Sequence, residues 1–324
     1  MKLPSIRTLA FLAAVALTPS FAAQATDSYL SKSIHVIVPF PPGGPVDTLA
    51  RLLAVKISDS TKQQLIIENK PGAGGSIGAA QVARSPADGY TLLMTASSYA
   101  MDPAIRANFP FDPRKDLHGV SMVASGPVVL LSRHDLPVDN VSQLLDLIKE
   151  SPGKYSYAST GIGTINHFAG ELFKGETRTD IVHIPYNGAT PATQAILTGQ
   201  VDIFFNNVLS SLPHIKSGKV KALAVSSPKR WPSLPEVPTL IESGVSVELM
   251  SWYGFLAPGG TPMPVMKAFS SEVKKALVDP AIREKINQLG LTVDGTNPIE
   301  FQTYIGGEID KWTDVAKHAN IKAE

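Results

Sequence analysis

The chain has no cysteine, so no disulfide holds it and stability must come from buried apolar surface. Charge is sparse and balanced, with 29 Lys and Arg against 28 Asp and Glu, a formal net charge of +1. Without a basic stripe, nucleic acid and anionic membranes are poor partners. The histidines at 35, 118, 134, 167, 183, 214 and 318 are scattered, with no H-x-x-x-H pair, which argues against a metal centre. No G-x-S-x-G elbow occurs. No apolar run is long enough to cross a bilayer, and no internal repeat of roughly 20 to 50 residues is visible.

Residues 1–25 read as a signal peptide. Lys2 and Arg7 precede the apolar stretch Leu9 to Leu17, and Ala23-Gln24-Ala25 is a small-x-small cut site. Phe21-Ala22-Ala23 would serve as well. A mature chain starting near Thr26 is expected in the periplasm, where a cysteine-free composition is at home. The rest is long for one core and suggests two domains.

What is present is organised around Ile34 to Arg51. Ile34-His35-Val36-Ile37-Val38 is a short β-branched run, as in strands buried on both faces. Pro41-Pro42-Gly43-Gly44-Pro45 then forbids strand and helix alike. Val46, Leu49, Ala50, Leu53 and Ile57 follow at helical spacing. Strand, glycine turn and helix make the first unit of an open α/β sheet, which binds ligands at the carboxyl ends of its strands. Free amides beside the helix start favour an anion. No Lys or Arg lies between Lys32 and Arg51, so amides and hydroxyls would hold it. The plainer alternative is a tight crossover and nothing more.

The same device recurs. Leu65 to Glu68 is a strand leading into Gly72-Ala73-Gly74-Gly75 and a helix; the glycine spacing departs from a dinucleotide fingerprint and reads as close packing. Tyr90 to Thr95 is a strand delivering Thr95, Ala96, Ser97 and Ser98 to the edge that holds Gly43. Ser121 to Ala124 is a further strand, and Gly126-Pro127 marks a break before a fresh strand at Val128 to Ser132. Tyr155 to Ala158 feeds a second small-residue turn, Ser159-Thr160-Gly161-Ile162-Gly163-Thr164, before a helix carrying Phe168, Leu172 and Phe173. Ile181 to Ile184 leads to Tyr186-Asn187-Gly188 and a helix from Ala189. Val201 to Phe205 ends at Asn206 and Asn207. The fold class expected is α/β in two domains, each a mostly parallel sheet flanked by helices. Residues 26–126 and 228–324 form the first, and 127–227 are inserted as the second.

Joint motifs then point to a family. Val38-Pro39-Phe40-Pro41-Pro42-Gly43-Gly44 with Asp47 and Arg51, Glu68 to Gly75, Ala87-Asp88-Gly89-Tyr90-Thr91-Leu92, Ile184 to Gly188, Val237-Pro238-Thr239 and Trp252-Tyr253-Gly254 stand in order along the mature chain. The chain resembles the periplasmic receptors of tripartite tricarboxylate transport, the Bug receptors. The resemblance implies a Venus-flytrap periplasmic-binding-protein fold and a small carboxylate gripped in the interdomain cleft. It also implies delivery to the membrane permease subunits of such a transporter, with no cofactor. It places the carboxylate on the loops at Phe40, Pro42, Gly43 and Gly44, at Thr95, Ala96 and Ser97, and at Ser159, Thr160, Gly161, Gly163 and Thr164. Relatives often carry Asp where Asn206 stands, which weakens the case for an ammonium-bearing ligand.

Tyr186 and Asn187 are expected to close over the ligand, and Trp252 to pack. Asp47 is counted with the ligand loop, although its spacing to Arg51 also fits an intrahelical ion pair. His167 is counted too. An enzyme, such as a hydrolase, is the alternative class, with His167 serving Thr164 as a base. A binding monomer without catalysis is the reading preferred.

Overall fold

The computed structural model describes residues 29–323; the signal peptide expected at 1–25 lies outside them. Ile34 to Val38 forms β1 (Ile34–Val38), buried at every position except His35. The helix expected after the proline–glycine turn is α1 (Pro45–Thr61), with Leu49, Leu53 and Ile57 inward. Next come β2 (Leu65–Asn69), α2 (Ser76–Ala83), β3 (Thr91–Ala96) and the one-turn α3 (Ser98–Met101). A 17-residue strand, β4 (Leu117–Arg133), follows, then α4 (Val141–Glu150), β5 (Ser156–Ser159) and α5 (Ile165–Thr177). The middle of the chain continues with β6 (Val182–Pro185), α6 (Ala189–Leu197), β7 (Ile203–Asn207), α7 (Val208–Lys216) and β8 (Val220–Val225). The chain then returns through β9 (Met250–Pro258), α8 (Met263–Val278), α9 (Pro280–Gln288), β10 (Thr292–Val293) and α10 (Pro298–His318).

The strands run in the order β2-β1-β3-β9-β4-β7-β5-β6, with β8 and β10 also on β4. β1 lies parallel to β2 and β3, and β5 parallel to β6 and β7. Parallel strands thus occupy both ends, as expected of βαβ units. The middle is antiparallel: β9 pairs β3 and β4, and β4 pairs β7 and β8.

One expected strand break is corrected. Gly126-Pro127 does not break the chain, because 121–124 and 128–132 belong to the single strand β4. The Gly–Pro pair falls where β4 changes partners. Leu117 to Pro127 pairs with β9, and Val128 to Ser132 with β7. A residue without an N–H is tolerated at such a switch, and the next amide, Val128 N, donates to Ser226 Oγ at 3.0 Å. β1 to β3, β9 and β10 therefore gather on one half of β4, and β5 to β8 on the other.

Helices cover both faces of the sheet. Phe204 and Phe205, adjacent on β7, point to opposite layers as strand alternation requires. One layer packs Leu49, Phe255, Phe269 and Phe204, and the other Trp252, Phe301, Phe168 and Phe205. Each apolar layer therefore draws on both halves of the sheet. Among the described residues, no helix is long and apolar enough to cross a membrane.

Candidate ligand-binding site

A cavity of about 580 Å³, counted to its open mouth, lies where the two halves face each other. From the β1 side come Phe40, Pro41, Gly44, Pro45 and Val46, and from the β3 and β9 ends Ala96, Ser98, Ser251 and Tyr253. Opposite stand Thr160, Thr164, Ile165 and Asn166, then Gly188, Ala189 and Thr190, then Asn206 and Asn207. None of these described lining residues is Lys, Arg, His, Asp or Glu.

The helix starts define the chemistry. Gly44, Thr164, Gly188 and Asn207 are the N-cap residues of α1, α5, α6 and α7; all four line the cavity, and none caps its helix with a side chain. Thr164 and Asn207 are good capping types. Yet Thr164 Oγ1 donates to Gly161 O at 2.6 Å, and Asn207 Nδ2 to Tyr253 Oη at 2.9 Å. By contrast Asn140, Asp279 and Asn297 do cap α4, α9 and α10, which do not reach the cavity. The first amides of a helix lack intrahelical acceptors, and each N-terminus carries roughly half a positive charge. Four such ends aimed at one space make it electropositive without a cationic side chain.

A hydrogen-bonded chain in the cavity wall ties the halves together. Thr160 Oγ1 donates to Asn166 Oδ1 at 2.6 Å, and Asn166 Nδ2 reaches Phe205 O and, at 3.2 Å, Asn207 Oδ1. Asn207 passes this on to Tyr253 of β9. Burial pushes the Tyr253 hydroxyl up to about 12, so it stays protonated as a neutral hydrogen-bonding group. Asn206 is buried, with Oδ1 unpartnered and Nδ2 only 3.4 Å from Thr193 Oγ1.

Of the expected site residues, Phe40, Gly44, Ala96, Thr160, Thr164 and Asn206 line the cavity. Others stand one layer behind. Ser97 is buried 3.5 Å from Ser251 Oγ, and Thr95 lines a smaller neighbouring hollow. Ser159 Oγ accepts from Gly161 N at 3.2 Å, and Gly163 N points to His167 Nδ1 at 3.4 Å. Pro42, Gly43 and Asn187 are exposed and Tyr186 is half-buried, all outside the lining.

Two placements are corrected by what the side chains do. Asp47 turns away from the cavity: it accepts from Gly43 N at 2.9 Å, from Arg51 Nε at 3.0 Å and from Asn69 Nδ2 at 2.9 Å. Asn69 also donates to Phe40 O at 3.0 Å. Asp47 therefore shapes the turn, and the Gly43 amide is already taken. Burial pushes its carboxyl up, but the bonds from Arg51, Gly43 and Asn69 outweigh that and hold it below the usual range. The ionised form is the stabilising one, so its contribution is complete above about pH 4. It is lost as pH falls through the depressed value. Asp47→Ala is expected to destabilise the chain by about 1–3 kcal/mol, read as an earlier cooperative transition in urea. An unchanged midpoint would refute that role.

His167 is the second correction. It is buried and stacked on His183, ring centroids 4.6 Å apart, rather than set against Thr164. Burial pushes both imidazoles down to about 4, so both are neutral near pH 7. The serine–histidine contact present is Ser159 Oγ to His183 Nε2 at 2.7 Å. Ser159 is fully buried outside the lining, and His183 Nδ1 has no hydrogen-bond partner. That is packing, not a nucleophile with its base.

Asn166, Asn207, Ser251 and Thr190 line the cavity without having been expected there. The signal was available: Asn166 and Thr190 sit two residues past a helix N-cap that follows a small-residue turn, and Asn207 is itself the N-cap between β7 and α7.

Fold and site together define a solute-binding receptor that clasps a small molecule between two lobes. Residues 49–321 match the family model described as tripartite tricarboxylate transporter family receptor, and the chain belongs to that family. It is 35% identical over 320 residues to Protein BugT of Bordetella pertussis (strain Tohama I), covering 98% of both chains. A solved structure of a periplasmic transporter superposes with a TM-score of 0.87 at 41% identity, over 90% of this chain and 98% of that one. The structure of R. palustris Rpa4515 with adipate superposes with a TM-score of 0.87 at 33% identity, over 90% and 98%. The family is one of periplasmic transport receptors, not enzymes.

Proposed function

We propose that this chain captures a small organic acid, its carboxylate held by the helix starts at Gly44, Thr164, Gly188 and Asn207. The observation that carries the reading is the convergence of those uncapped ends on a cavity lined by no charged side chain. An anion there satisfies amides that are otherwise unpaired, each charge-assisted bond contributing about 1.5–3 kcal/mol. The apolar side of the lining, Phe40, Val46 and Ile165, suits a carbon chain. The acid-bound relative of similar fold, with adipate, supports this class of ligand.

Residues 26–126 and 228–324 form one lobe and 127–227 the other, with β4 running through both. Binding draws the second lobe onto the first, since only the closed form brings both sets of amides to one head group. After removal of the first 25 residues the receptor works in the periplasm as a monomer. It hands its acid to the membrane permease subunits of a tripartite tricarboxylate transporter.

The test is a thermal-shift series on the exported chain with adipate, malate and the matching neutral diamides. The acids are expected to raise the melting temperature without being consumed. The diamides, lacking the charge that the helix ends attract, are expected to leave it unchanged. No shift with any carboxylate, or an equal shift with the diamides, would overturn the reading.

A further inference from the structure

Beside the ligand cavity is a smaller hollow lined by Gly74, Thr95, Ser98, Tyr99 and Asp102. Asp102 follows α3 in the first lobe and is only 2% exposed. Its Oδ1 accepts from Arg106 Nε at 2.6 Å, while Oδ2 is buried with no hydrogen-bond partner. What closes over this carboxylate belongs to the second lobe. A Cβ on Gly163 would stand 2.0 Å from Asp102 Oδ1, so only glycine allows the two to meet. A Cβ on Gly74 would stand 2.8 Å from Ile162 O and 3.3 Å from Asp102 Oδ2. The carboxylate is thus sandwiched between the glycine turn of the first lobe and the ligand turn of the second, 161–164.

We propose that Asp102 is a proton-dependent latch on lobe closure: its protonated form favours the closed receptor, and its ionised form favours the open one. This rests on the reading above that two lobes close on a ligand. Closing strips water from a charged oxygen and offers it no donor in return, a penalty that the neutral acid escapes. Burial accordingly pushes the Asp102 carboxyl up to about 6, against the opposing pull of Arg106. The ionisable groups around Asp102 have partners of their own. The Tyr99 hydroxyl donates to Pro113 O, and His167, behind Gly163, is neutral. Helix α10, packed on this turn, brings Glu308, bonded by Trp312 Nε1, and Asp310, paired with Arg114.

The sign follows from linkage. The closed form binds the proton more tightly than the open form, whose carboxyl regains water while keeping its bond from Arg106 and so titrates lower. The closed-to-open ratio therefore falls as pH rises through about 6, by roughly tenfold between pH 5 and pH 7. Latch and ligand act on the same closure from separate pockets.

A ligand-free measurement tests this apart from the receptor reading. The absence of native cysteine allows clean spin-label pairs on Asp59→Cys and Glu176→Cys, exposed positions on opposite lobes. The short-distance population is expected to grow from pH 7 to pH 5. In Asp102→Asn it is expected to be large already at pH 7 and to ignore pH. Arg106→Gln, which removes the counter-charge, is expected to move the midpoint upward, and it decides the matter should Asp102→Asn fail to fold. A pH-independent parent, an Asp102→Asn variant titrating like the parent, or an unmoved midpoint in Arg106→Gln would each overturn the latch. Absence of stabilisation by any acid would sink the receptor reading and leave this distance measurement standing.

Discussion

Gly188→Val is expected to weaken binding of the acid by at least about a hundredfold, equivalent to about 2.8 kcal/mol. Gly188 is the N-cap of α6 and lines the cavity at φ 107° and ψ 179°, a region that is essentially glycine-only. A Cβ there would stand 2.9 Å from Pro41 Cγ across the cleft. A β-branched side chain therefore tilts the start of α6 away from the head group and wedges Pro41 back. Both effects act on the closed state. The control is Gly218→Val, also at positive φ (68°) but with nothing within 4 Å of its added Cβ. Calorimetric titration separates them: Gly218→Val should keep its affinity within a few-fold while losing some stability. Equal affinities for the two variants would remove the cleft contact from the account.

The largest loss of stability is expected from Trp252→Ala, about 3–5 kcal/mol by guanidinium unfolding. Trp252 is fully buried on β9, edge-on to Phe301 at 5.3 Å and to Tyr304 at 6.3 Å. Its indole Nε1 has no acceptor among the described residues, so the side chain contributes packing and no hydrogen bond. Trp252→Phe, which fills most of the volume and deletes that orphan donor, is therefore expected to lose less than about 1.5 kcal/mol. A Phe variant as unstable as the Ala variant would mean that the indole N–H matters after all. Expected here is a change in unfolding midpoint without loss of binding below it, because Trp252 packs beneath the site and does not line it.

The βα units were legible because each carries its own period. Ile34 to Val38 is apolar at every position but His35, whereas Val46, Leu49, Leu53 and Ile57 recur at helical spacing, and both became the expected elements. The small-residue turns were legible for the same local reason. Gly126-Pro127 misled because a residue without an N–H usually ends a strand, and only the change of partner along β4 makes room for it. Asp47 misled because a carboxylate beside a glycine turn looks like part of a site, until Asn69, 22 residues on, takes hold of it. Asp102 carried no local signal, since its importance comes from Gly163, which the chain reaches only after crossing β4 and β5.

The sequence by itself determined the secondary elements, the small-residue turns at their ends, and a chain with neither disulfides nor a basic face. Tertiary structure alone decided that β9 inserts between β3 and β4, that the four uncapped helix starts share one cavity, and that Asp102 faces Gly163. The physical reason is that hydrophobic periodicity tells a segment which side to bury but not against what. Partners are chosen when many weakly directional apolar faces pack at once, and that choice places the four helix starts around one cavity.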